Sequence, residues 1–263
     1  MSLESIKLEN FYEKLPLCAA WLGFRRSGKS LSASLVVKYL VSRKAFKRVI
    51  LFVGTKYCNP ELCEMVKKKF DERLIFHRFS EDLLNKIILQ QQELRAISEE
   101  NTCLIIFDDI YTARGRHGAA MNKIFQSGRH FLISVFVMCV SWSDIAPSCR
   151  RSLDFVIMYS NITLTDTQFL TRCFLHRSLI EPARYALKTN KLYVGLCIET
   201  SPVQKLWLLK FSKKNSSGYK DKGLCTVDHS EKICQEVLAS NEPQAEPVED
   251  KEMESDEKTV VRI

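Results

Sequence analysis

The stretch Gly23-Phe24-Arg25-Arg26-Ser27-Gly28-Lys29-Ser30 settles the fold class, because it fits the pattern G-x-x-x-x-G-K-[ST] without a mismatch. An apolar strand candidate ends at Leu22 and a helical pattern opens at Lys29. The loop therefore stands where a strand hands over to a helix. Gly23 and Gly28 free the backbone to curl until successive N–H groups point inward at phosphate oxygens. The amino end of the following helix adds partial positive charge. The pattern predicts a nucleotide-phosphate cradle over Gly23, Phe24, Arg25, Arg26, Ser27, Gly28, Lys29, Ser30 and Leu31. Within it Lys29 reaches the β- and γ-phosphates and Ser30 offers its hydroxyl to Mg²⁺. ATP and Mg²⁺ are the implied ligand and cofactor.

A magnesium–nucleotide site needs a carboxylate at the end of a neighbouring strand. The run Leu104-Ile105-Ile106-Phe107-Asp108-Asp109 supplies it. Asp108 falls next to the metal and its water shell. Asp109 falls where a base orients or activates the attacking water. Aspartate is shorter than the glutamate often used there, so its reach is less. The separation of ~80 residues from loop to carboxylates leaves room for two intervening βα units. That fits the class with an extra strand between loop and carboxylates and argues against a small nucleotide kinase.

Outward from these motifs, short apolar runs alternate with helical patterns. Strands are expected at 17–22, 49–53, 74–79, 102–107, 131–139 and 154–159, and helices at Lys29–Ser42, 61–70 and Glu81–Ile97, the last capped by Ser80. Residues 165–187 read as helical with a break at Pro182, and 192–198 with 205–211 as an antiparallel hairpin around Ser201-Pro202. Continuous apolar strands separated by helices imply a parallel sheet covered on both faces. The expected fold is α/β, a three-layer RecA-like P-loop NTPase with a mainly parallel central sheet and a C-terminal antiparallel edge hairpin. The expected organisation is an N-terminal segment (1–14), the P-loop domain (15–211), a polar extension (212–240) and an acidic disordered tail (241–263).

The net charge of +8 is uneven: the tail holds eight acidic and three basic residues, leaving the body near +13. A basic body suits a nucleic-acid phosphate partner or simply a lysine-rich surface. Ten cysteines lack any Cys-x-x-Cys pair, and several sit in apolar runs. They read as small buried hydrophobes of a reducing compartment rather than a zinc or disulfide set. Residues 1–15 lack the pattern of a secretory leader, and the longest apolar stretch, 131–142, is too short for a bilayer, so no membrane partner is expected and the protein is read as intracellular.

Further along stands Phe125-Gln126-Ser127-Gly128-Arg129-His130-Phe131-Leu132-Ile133-Ser134, followed by Pro147 and Arg150-Arg151. Taken with the loop and the paired aspartates, this order resembles the poxvirus-type DNA-packaging ATPases of the FtsK–HerA superfamily, found in large DNA viruses, virophages and Polinton-like elements. The resemblance spans roughly residues 15–211. It implies a homo-oligomeric ring that moves double-stranded DNA into a capsid, with capsid or portal partners, at sites of virion assembly in host cytoplasm or nucleus. It also implies that Arg129 is an arginine finger acting on a neighbour's nucleotide, with Arg150 and Arg151 as competing candidates. Arg114 and Arg116 are further candidates for a loop facing DNA. One departure stands out: the family's polar Gln at the end of the fourth core strand is matched here by Val140, with Ser141 next to it. Two other readings stay open. One is a cellular or plasmid ATPase of DNA transfer or repair, and the other a nucleotide-regulated binding module with weak hydrolysis.

Overall fold

The computed structural model describes residues 3–54, 59–110, 118–159, 163, 165–168, 174–189, 193–201 and 203–210. Its centre is an eight-stranded sheet: β1 (Cys18–Leu22), β2 (Arg48–Val53), β3 (Ile75–Phe76), β4 (Cys103–Asp108), β5 (Ile133–Cys139), β6 (Phe155–Met158), β7 (Val194–Glu199) and β8 (Lys205–Lys210). The spatial order is β3-β2-β4-β5-β1-β6-β7-β8. All pairings from β3 to β6 are parallel, and β7 and β8 add antiparallel to β6. β5 therefore lies between β1 and β4, the extra strand the loop-to-carboxylate spacing implied.

Side chains alternate across each strand, and the two sets pack different helices. Ala20, Leu22, Phe52, Ile105, Phe107, Val135 and Val137 face α4 (Glu81–Ile97), α5 (Ala119–Ser127), α6 (Pro147–Arg150) and α7 (Arg177–Thr189). Trp21, Leu51, Val53, Ile106, Phe136 and Met138 face α1 (Glu9–Glu13), α2 (Lys29–Ser42) and α3 (Pro60–Lys69). The result is three layers with a dry core on each side of the sheet. α2 is buried nearly all round, which fixes the loop that precedes it. Cys18, Cys63, Cys103, Cys139, Cys149 and Cys197 are all buried. Burial pushes the Cys103 thiol up to about 11, so it packs as a small hydrophobe and is no nucleophile.

Several expected elements shift. The strand read from 131 begins at Ile133, because Gly128–Phe131 winds into a 3₁₀ turn closed by a left-handed Leu132 (φ 57°). The strand read at 74–79 shrinks to Ile75–Phe76, with Glu72–Leu74 taken into a 3₁₀ turn. Pro182 does not break its helix. It lies inside α7 and gives up only the bond its N–H would make, while Phe174, Leu175 and His176, just ahead of α7, are not helical. The 1–14 segment touches the sheet through one bridge, Ser5 to Leu208: Leu208 N–H donates to Glu4 O at 2.8 Å and Ile6 N–H donates to Leu208 O at 3.0 Å, while Phe11 packs on Phe155 with ring centroids 4.6 Å apart. Segments 212–240 and 241–263, and Pro202 of the hairpin turn, lie outside the described residues. Among the described residues no helix is long and apolar enough to cross a membrane.

Candidate nucleotide site

β1 delivers the chain to the carboxyl edge of the sheet at Leu22. Gly23 N–H is tied back to Cys139 O at 3.3 Å, which fixes the start of the loop beside β5. Left-handed residues then turn it, Arg26 at φ 63° and Gly28 at φ 95°. The glycines are required in different ways. A Cβ on Gly23 would lie 2.7 Å from Ser27 Oγ, and one on Gly28 would lie 2.7 Å from Tyr193 Cδ1. Ser32 N–H is bonded to Gly28 O at 2.9 Å, so α2 begins at once, and no side chain caps it. The N–H groups of its first turn stay available to an anion. Phe24, Arg25 and Arg26 are exposed, Ser27 is buried, and Gly28, Ser30 and Leu31 are half-buried.

Lys29 is buried, yet its ammonium reaches across to β4: Nζ lies 3.0 Å from Asp109 Oδ1. β4 ends in register with β5, Asp108 opposite Met138, and β5 ends opposite β1, Cys139 opposite Leu22. Lysine, loop and carboxylates thus meet at one edge. Asp109 sits past the strand end in a left-handed conformation (φ 51°), strain of the kind that concentrates at ligand sites. Asp108 is 2% exposed, and its Oδ1 has no hydrogen-bond partner among the described residues. Burial, with the Asp109 charge adding to it, pushes the Asp108 carboxyl up to about 6, while Lys29 and Asn59 pull it the other way. The Ser30 hydroxyl makes no hydrogen bond to another described residue.

The arginine candidates separate. Arg129 is exposed on the 3₁₀ turn that feeds β5, at the amino edge. Its guanidinium is close enough to Asp154 to lower that carboxyl, against the larger upward push of burial. The seven residues of β5 lie between it and the loop edge, about 20 Å. Arg150 is engaged locally: its Nε donates to Ile145 O at 2.6 Å and its guanidinium covers the Trp142 ring at 5.3 Å. Arg151 is exposed. Arg114 and Arg116 lie outside the described residues. Val140 directly follows β5. Ser141 is occupied: its hydroxyl donates to Asp166 Oδ1 at 3.1 Å and accepts from Ser143 N–H at 3.2 Å, while its N–H donates to Asp144 Oδ2 at 2.9 Å. This is a capping box, and the sequence signal for it is Ser-x-x-Asp.

Sequence reading missed three contributors. Asn59, left-handed at φ 47°, accepts from Ser34 Oγ of α2 at 3.0 Å and bears on Asp108. Tyr159, at the end of β6, is buried, contacts Ser32 Oγ and donates to Gly28 O at 3.4 Å, so it supports the loop from beneath. Tyr193 packs against Gly28.

A glycine-cornered loop between β1 and α2, whose lysine meets an aspartate across an interposed parallel strand, defines a P-loop NTPase. Within that class, the family model described as Poxvirus A32 protein matches residues 12–179, and the chain belongs to that family. The chain is also similar to the uncharacterized protein 015R of Frog virus 3 (isolate Goorha), at 26% identity over 100 residues, which is 36% of this chain and 31% of that protein. Among solved structures it is similar to the genome packaging NTPase B204 of Sulfolobus turreted icosahedral virus 2 in complex with ATP-gammaS. That match has TM-score 0.56 at 17% identity and covers 74% of this chain and 96% of the other. The cytoplasmic domain of the Type VII secretion ATPase EccC of Thermomonospora curvata has TM-score 0.50 at 13% identity, covering 79% and 26%. At such identities the likeness is one of fold.

Proposed function

We propose that this chain hydrolyses ATP with Mg²⁺ and uses the energy to move double-stranded DNA into a viral capsid. The observation that carries the catalytic part is the 3.0 Å Lys29–Asp109 pair beside the buried Asp108 Oδ1, which has no partner among the described residues. Loop N–H groups and the start of α2 hold the phosphates. Lys29 exchanges its bond to Asp109 for the β- and γ-phosphate oxygens, and Asp109, released, orients the attacking water and accepts its proton. Asp108 and Ser30 fit a hard cation: one is an orphaned carboxylate oxygen, the other a hydroxyl without a partner in the described chain. Bound there, Mg²⁺ would offset phosphate charge.

Arg129 supplies a positive charge to a neighbouring subunit's γ-phosphate, because its own loop stands at the opposite edge of the sheet. That requirement supports a homo-oligomeric ring. Family membership and the fold shared with a genome packaging NTPase support the packaging role, capsid or portal partners, and action inside the host cell at sites of virion assembly. A second reading, a nucleotide-regulated module with weak hydrolysis, is favoured by Val140 at the sensor position and by the engagement of Ser141 with Asp166.

Phosphate release measured with and without double-stranded DNA, across protein concentration, tests the proposal. Specific activity should rise with concentration and with DNA, and Lys29→Ala should abolish it. Normal turnover in Lys29→Ala would defeat the site assignment. Tight ATP binding without DNA-stimulated turnover would select the second reading.

A further inference from the structure

The sheet order sets β5 and β4 on one flank of β1 and β6 and β7 on the other. Asp108 and Asp109 close the γ-phosphate end from β4, on one flank of β1. On the ATP reading, the nucleoside end of the same molecule then leaves over the other flank, where β6 ends and β7 begins. Tyr193, the residue just ahead of β7, stands there. A Cβ built on Gly28 would lie 2.7 Å from Tyr193 Cδ1 and 3.3 Å from its Cα, so the tyrosine lies directly against the loop.

Two features separate Tyr193 from an ordinary packing residue. It is half-buried in a left-handed conformation, φ 68°, which a bulky residue rarely adopts. Its phenol makes no hydrogen bond to another described residue. The supporting role is already filled by Tyr159, buried beneath the loop and bonded to Gly28 O. Gly195 makes room for that ring, since a Cβ there would lie 3.3 Å from Tyr159 Cζ. One tyrosine holds the loop from below, and the other borders the phosphate cradle on the side where the nucleoside emerges.

We propose that Tyr193 is the stacking platform for the nucleobase of the bound triphosphate. This rests on the ATP reading above. Bases stack on aromatic rings through their π-faces, and losing one such contact costs on the order of tenfold or more in affinity.

The test compares binding of ATP and of inorganic tripolyphosphate, each with Mg²⁺, to the full chain by calorimetry. Tyr193→Ala should lose about tenfold or more for ATP and keep its affinity for tripolyphosphate, which has no base. Tyr193→Phe and Tyr193→Trp should keep ATP affinity. Unchanged ATP binding in Tyr193→Ala overturns the proposal. So does an equal loss for both ligands, which would mark a prop for the loop. Wild-type protein that binds neither ligand would refute the ATP reading and this proposal together, whereas wild-type binding of both with no selective loss refutes this proposal alone.

Discussion

At the amino edge of the sheet, buried polar groups meet partners within the chain, with the Nε of Arg48 as an exception; at the carboxyl edge, a cluster of them does not. Leu17 N–H donates to Ser134 Oγ at 3.1 Å, Cys18 N–H to Asp154 Oδ2 at 2.8 Å, and the Thr102 hydroxyl to Ala45 O at 2.8 Å. The Gln91 amide bonds the carbonyls of Asn101 and Phe131 and accepts from Arg48 at 2.8 Å. At the other edge Ser27 Oγ and Asp108 Oδ1 are buried without a partner among the described residues, and Arg26, Asn59 and Asp109 hold left-handed backbones. Left-handed Lys44 and Leu132 occur toward the amino edge too, but as turns between helix and strand. Each unpaired group costs about 1–3 kcal/mol, and each strained residue a similar amount. Such costs persist together where a ligand relieves them. One edge supplies stability, and the other holds a destabilised site that it supports.

Arg129 breaks this division, being an exposed cation on the edge otherwise devoted to stability. If it serves a neighbour's nucleotide, Arg129→Ala should lower kcat by about 10³- to 10⁵-fold with ATP affinity and melting temperature unchanged. Mixing Arg129→Ala with Lys29→Ala should restore part of the turnover, because an intact finger then faces an intact loop. No recovery in the mixture would return Arg129 to a structural role beside Asp154.

The scaffold was legible in the sequence because its signals are local. Loop and aspartates each end an apolar run, and the ~80 residues between them require the intervening strand order. The partners of the site were not legible. Asn59 acts on a carboxylate that only the register of β2 and β4 brings near, and Tyr193 meets Gly28 only because β7 folds back on β6. Local rules also lost to tertiary context: Pro182 lies within α7, and Phe131, read as the start of a strand, instead belongs to the 3₁₀ turn Gly128–Phe131.

The carboxyl edge's burden can be measured at Asp108. Its carboxyl stands at about 6 against an ordinary 3.8, so the fold prefers the protonated form. No penalty applies below the ordinary value. It grows as pH rises and is complete above about 6, where it reaches about 3 kcal/mol. Asp108→Asn removes the charge and should melt with wild type near pH 4, then several degrees above it at pH 7.5 in the absence of nucleotide. The same substitution should abolish stabilisation by Mg–ATP. A melting difference that does not vary with pH would mean that Asp108 carries no such burden.

The amino edge should answer with the opposite sign. Gln91→Leu keeps the volume of the side chain but strips an acceptor from Arg48 and a donor from the carbonyls of Asn101 and Phe131. Arg48 keeps its bond to Gln90 at 2.7 Å, so the loss is partial, about 2 kcal/mol. For a domain of this size that is a fall of roughly 4–8 °C in melting temperature. Since Gln91 belongs to the stabilising edge alone, kcat and KM for ATP should stay within about twofold of wild type at a temperature where both are folded. A matching loss of kcat would show that strain at the amino edge travels along β4 to the aspartates at its far end, and that the two edges are one device.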